Sequence, residues 1–131
     1  MEWNGAEMMN PKNTFKVVGE FGVFHPTGKV TLTDAITMVT EAIALARTQR
    51  VKRLMVNVHG LTGFPSPSLP ERYFMAQRFA EAAQGAVRVV FVVPEHMIDP
   101  EKFGVMVARN AGMDADVFPT EPEAMTWLLK P

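Results

Sequence analysis

RLMVNVHGLTGFPSPSLPERY, residues 53–73, is the stretch on which the fold turns. Its first six residues form a short apolar run, bounded by charge in front and glycine behind, as in strands covered on both faces. That run is the expected centre of a sheet. Its far end has the form of a helix start: Ser68 is followed three places later by Glu71, the capping-box spacing, and Pro70 sits inside the first turn. The expected helix covers residues 69–84, turns Leu69, Tyr73, Ala76, Ala80 and Ala83 inward, and stops at Gly85. Phe74 falls on its polar arc among Gln77, Arg78 and Glu81.

The same grammar repeats on both sides. Upstream, residues 15–23 are rich in strand formers, Gly19 and Gly22 punctuate them, and HPTGK at 25–29 supplies a turn, so two short antiparallel strands are expected. Thr31 with Asp34 then caps a helix on which Leu32, Ile36, Val39, Ile43 and Ala46 share one side at ~100° per residue. Downstream, VRVVFVV at 87–93 is a second buried strand. Asp99-Pro100 has the N-cap and first-position pattern of a third helix that Gly112 closes, residues 116–118 form a last strand, and Thr120 with Glu123 repeats the capping pattern before Ala124, Trp127 and Leu128. The order β-β-α-β-α-β-α-β-α implies one α/β domain: a mixed, mostly parallel sheet of four or five strands with about four helices. Residues 1–13 form a loose N-terminal arm in this division, and 14–131 the domain.

Totals narrow the function. At 131 residues the chain is one domain in size, with 47% hydrophobic and 21% charged residues. Thirteen basic residues against 14 acidic ones give no nucleic-acid footprint. The absence of cysteine removes disulfides, thiolate metal sites and thiol nucleophiles. The first residues lack a basic start and an apolar core segment, and no apolar run approaches ~20 residues, so neither a secretion signal nor a membrane span is expected and the protein is placed in the cytoplasm.

Chemistry concentrates in the loop between the central strand and its helix, on the sheet edge where α/β proteins usually bind ligands. Ser68 is assigned to the cap. Ser66, between Pro65 and Pro67, has no such explanation and is the candidate phosphate acceptor, its hydroxyl held outward in extended backbone. Gly60, Thr62 and Gly63 offer a weak anion cradle without P-loop or dinucleotide spacing. Arg72 can reach back to an anion, or pair with Glu71 or Glu95, and the pairing is the expectation. His25, His59 and His96 lack metal-site spacing. A triad from Ser66, His59 and Asp99 lacks the nucleophile elbow, so no enzyme, metal or cofactor is expected. Phe74 beside Met75 is the candidate contact for a partner or a second copy.

VNVHGLTGFPSPSL at 56–69 and the closing NAGMDADVFPTEPEAMTWL resemble the STAS domains, the family of anti-sigma-factor antagonists and transporter tails. GLTGF, SPSLPERY and IDPEKFGVMVARNAG are similar to small bacterial proteins described as SpoIIAA-like. The resemblance covers residues 15–129 and puts Ser66 at the acceptor position, although those antagonists carry an acid where Pro65 stands. It implies a non-catalytic signalling module that binds a protein partner through Ser66, His59, Thr62, Ser68, Arg72 and Phe74. The architectural relation of this group to CRAL-TRIO lipid-transfer domains implies the alternative, a small apolar or lipid ligand.

Overall fold

A computed structural model describes residues 15–131, so the expected arm at 1–13 lies outside the described residues. The opening strands are β1 (Phe15–Val18) and β2 (Phe21–Phe24), antiparallel about a Gly19-Glu20 turn. Gly22 sits inside β2 rather than ending it. A Cβ there would lie 3.1 to 3.3 Å from Phe15, Val51 and Leu54, so the residue is small because neighbours crowd it.

Helix α1 (Leu32–Thr48) starts where Thr31 Oγ1 accepts from the Asp34 amide, and it buries Ile36, Val39, Ile43 and Ala46 as its period requires. β4 (Arg53–Asn57) follows, then α2 (Leu69–Ala83), β6 (Arg88–Val92), α3 (Phe103–Asn110), β7 (Ala115–Phe118) and α4 (Glu121–Leu128). The main sheet has the order β1-β2-β4-β6-β7, with every pair after the first parallel. β4 is therefore central, and the chain is a single α/β domain with a mixed, mostly parallel sheet.

Each crossover steps across the sheet in the same direction. Right-handed connections then deliver α1, α2 and α3 to one face. Leu54, Val56 and Val89 meet those helices in the larger core, whereas Met55, Val90 and Val92 point the other way and bury Ala124 and Leu128 of α4. Alternation along β4 and β6 thus fills both faces, which is why neither strand shows a polar side. Arg53 and Arg88 both donate to the Leu128 carbonyl, neutralising the free end of α4.

The outer strands differ. On β7 two of the backbone groups that face away from β6 are occupied: Arg109 Nε donates to the Ala115 carbonyl and the Val117 amide donates to Asp116 Oδ1. On β1, Val17 and Val18 are half exposed.

Four expectations need correction. HPTGK is not a simple turn, since β3 (Gly28–Lys29) pairs in parallel with β5 (Leu61–Thr62) inside the loop after β4. The third helix does not begin at Asp99-Pro100: a turn closed by the Lys102 amide on the Asp99 carbonyl and a left-handed Lys102 (φ 52°) intervene, and the Asp99 carboxylate caps by accepting from the Phe103 amide at 2.8 Å. Leu69 and Tyr73 are exposed rather than inward, and Phe79 takes the central buried position of α2. At α4, the Thr120 hydroxyl donates to Glu123 Oε1 and accepts, at 3.4 Å, from the Glu123 amide, so the pair closes through side chains.

Candidate functional site

The carboxyl ends of β4 and β6 do not close against the helices. Between them lies a half-open cavity of about 160 Å³. Its floor is sheet, with Val58, Phe91 and Val117 at successive strand ends, and Ile36 and Val39 of α1 form one wall. The opposite wall is Ala76 and Phe79 of α2 with Ala108 of α3. Phe79 stacks on Phe91, ring centroids 5.4 Å apart and planes 25° from parallel, which fixes the inner surface. Met75, Met97 and Met113 supply side chains that adapt to an occupant's shape. The only charged residues among the lining are Arg72, Asp99 and Lys102.

The loop after β4 roofs this space, and glycines fix its path. The Gly60 carbonyl accepts from the Gly28 amide at 3.0 Å, and the Thr62 carbonyl accepts from the Val30 amide at 2.8 Å. Gly63 has φ 107° and passes so close to β3 that a Cβ would stand 2.5 Å from the Val30 carbonyl. At Gly60 a Cβ would stand 2.7 Å from Thr27. The GLTG segment is thereby a strand latched to residues 28–30, which explains its glycines without an anion. Thr62 is exposed on that latch.

Ser66 is exposed beyond the latch, as the flanking prolines require. Arg72 corrects the expectation of pairing with Glu71 or Glu95. Its Nη2 donates to Ser66 Oγ at 2.9 Å and its Nε to the Pro67 carbonyl at 3.0 Å. Glu71 instead accepts from the Ser68 amide at 2.8 Å while Ser68 Oγ accepts from the Glu71 amide, so Ser68 is the cap and carries the reciprocal box. The Arg72 guanidinium is thus oriented by two neutral acceptors, with its charge uncompensated among the described residues. Lys102, in contrast, lies 2.9 Å from Asp116 and 4.9 Å from the Phe118 ring centre.

The other candidates lie apart. His59 Nε2 bonds the Pro119 carbonyl at 3.0 Å, which requires the proton on that nitrogen. The buried Asn57 holds the same corner, accepting from the His59 amide at 2.9 Å and donating to Glu121 at 2.6 Å. These bonds tie the end of β4 to the start of α4. No imidazole bonds Ser66 among the described residues, so the Ser66, His59 and Asp99 triad is not assembled. Nor do three or more histidine, aspartate or glutamate side chains gather in metal-binding geometry among the described residues. Phe74 is 52% exposed on the outer side of α2, with the Arg78 guanidinium 5.6 Å from its ring centre.

The cavity is what the sequence did not announce. Its lining comes from all three helices of one face, from three strand ends and from the loops beside them, and apart from Arg72, Asp99 and Lys102 its side chains are apolar and indistinguishable in sequence from core. Gly104 lies beside Arg72 at the rim, where a Cβ would make only an ordinary 3.9 Å contact, so its being glycine gives no signal of the cavity either. No family model matches the chain, and no curated protein matches it.

Proposed function

We propose that this protein is a non-enzymatic, cytoplasmic binding module of STAS-like architecture whose ligand is a small apolar molecule held in the cavity beneath the latched loop. One observation carries the reading: about 160 Å³ of almost wholly apolar space stays open at the carboxyl edge of the central strands. An engineered apolar cavity of ~150 Å³ stays dry and takes up benzene. Apolar surface left facing water loses stability that an occupant restores. Native mass spectrometry of the freshly purified protein tests it, together with titration of a small alcohol such as octan-1-ol. A bound species of a few hundred daltons or less, or saturable uptake of the alcohol, is the expected result. No adduct and no uptake would remove the reading.

A second reading rests on Ser66. Its exposure, at the acceptor position implied by the STAS resemblance, supports a role in bacterial signalling in which the loop and Phe74 meet a protein partner or a second copy. Incubation with cell extract and ATP is expected to place phosphate on Ser66, and its absence by mass spectrometry counts against this role. Light scattering of wild type beside Phe74→Asp tests self-association, where an unchanged mass excludes Phe74 as the anchor.

A further inference from the structure

We infer that the cavity's ligand is an amphipathic monocarboxylate, with an alkyl or aryl body of about six to eight carbons enclosed and its carboxylate on Arg72 at the mouth. This rests on the cavity reading above and adds the polar end of the molecule.

The three charged residues of the lining are not equivalent. Asp99 is committed to the Phe103 amide and Lys102 to Asp116. Arg72 spends Nε on the Pro67 carbonyl and one Nη2 hydrogen on Ser66 Oγ. A guanidinium has five N–H donors, so at least three remain, in a plane already fixed by the two bonds that hold it. Both acceptors are neutral. The charge at the mouth therefore still seeks an anion, and the rigid fork suits a planar carboxylate.

Charge also sets the kind of anion. Asp99 lines the same cavity and Glu71 neighbours Arg72 in the first turn of α2. A dianionic phosphate head would meet these carboxylates with one uncompensated cation to offset them. A monoanion balances Arg72 one for one. The volume fixes the rest: 160 Å³ is comparable with a space that encloses one benzene ring, so long lipid tails exceed it. The methionines and the Phe79–Phe91 stack accept either a chain or a ring.

Calorimetric titration of octanoate and octan-1-ol into wild type, Arg72→Gln and Arg72→Lys tests this directly. Wild type is expected to bind octanoate about tenfold or more tightly than the alcohol, because a charged hydrogen-bonded pair is added to the same apolar burial. Arg72→Gln should abolish that preference while leaving the alcohol's affinity within about twofold, and Arg72→Lys should keep part of it. Added salt should weaken octanoate alone. Equal affinities in wild type overturn the carboxylate inference and leave the cavity reading intact. Loss of both ligands in Arg72→Gln also overturns it, since Arg72 would then be supporting the roof. Failure of octanoate alone overturns the carboxylate inference, and failure of both ligands to bind wild type removes both readings.

Discussion

Ala76→Leu separates an open cavity from a packed core by the sign of its effect. Ala76 is 5% exposed and faces the cavity from α2. At about 24 cal/mol per Å³, leaving 160 Å³ of apolar space unfilled has a ceiling cost of about 4 kcal/mol. Leucine adds three carbons, each contributing about 0.8 kcal/mol on full burial, or roughly 2.4 kcal/mol together. Because the cavity is half open, the added side chain stays partly wet and the expected gain falls to about 1 kcal/mol. Were the site already close-packed, the same three carbons would destabilise by about 1–3 kcal/mol through displaced neighbours. Urea denaturation reads the difference, with the midpoint expected to rise at unchanged m-value and the thermal midpoint to rise by about 3–5 °C. Uptake of octan-1-ol should weaken in the same variant. A lower urea midpoint at constant m refutes the reasoning.

Other substitutions probe the supports. Gly63→Ala combines φ 107° with a 2.5 Å clash against the Val30 carbonyl, so it should destabilise by about 2–4 kcal/mol, whereas Gly112→Ala, at φ 96° with nothing within 4 Å, should cost only about 1 kcal/mol; thermal melts of the pair check this. Ser68→Ala removes the α2 cap and should cost about 1 kcal/mol in urea, while Ser66→Ala at its exposed site should stay within about 0.5 kcal/mol. Asn57→Leu strands the His59 amide and should lower stability by about 1–3 kcal/mol, with faster hydrogen exchange at His59 as its local signature.

Local chemistry was legible wherever it acted over a few residues. The run at 53–58, the period of α1 and the caps at Thr31 and Ser68 each state their element in neighbouring positions, and the structure places them there. What escaped depends on distant partners. β3 and β5 are two residues each, too short for any period, and they exist only because Gly28 meets Leu61 across the fold. Asp99-Pro100 has the local form of a helix start, yet the chain first closes a turn from Asp99 to Lys102 and passes Lys102 in the left-handed region. Leu69 and Tyr73 do continue the apolar stripe of α2. The stripe outruns its cover, because the first turn of α3 arrives beside Arg72 and leaves the end of α2 bare. Arg72 was seen as a reaching cation, but its choice of Ser66 over a glutamate is settled by the path of the Pro65–Pro67 segment, which no pairwise charge argument contains.

The unequal margins of the sheet govern how copies of this protein could associate. At β7 the outward Ala115 carbonyl and Val117 amide already have internal partners, so a foreign strand would find those two groups taken. β1 has no such plugging among the described residues, and only Lys16 interrupts its apolar side chains. Among the described residues, strand addition therefore meets less obstruction at β1 than at β7. A subunit with unequal margins disfavours the repeated two-sided addition that a ribbon needs.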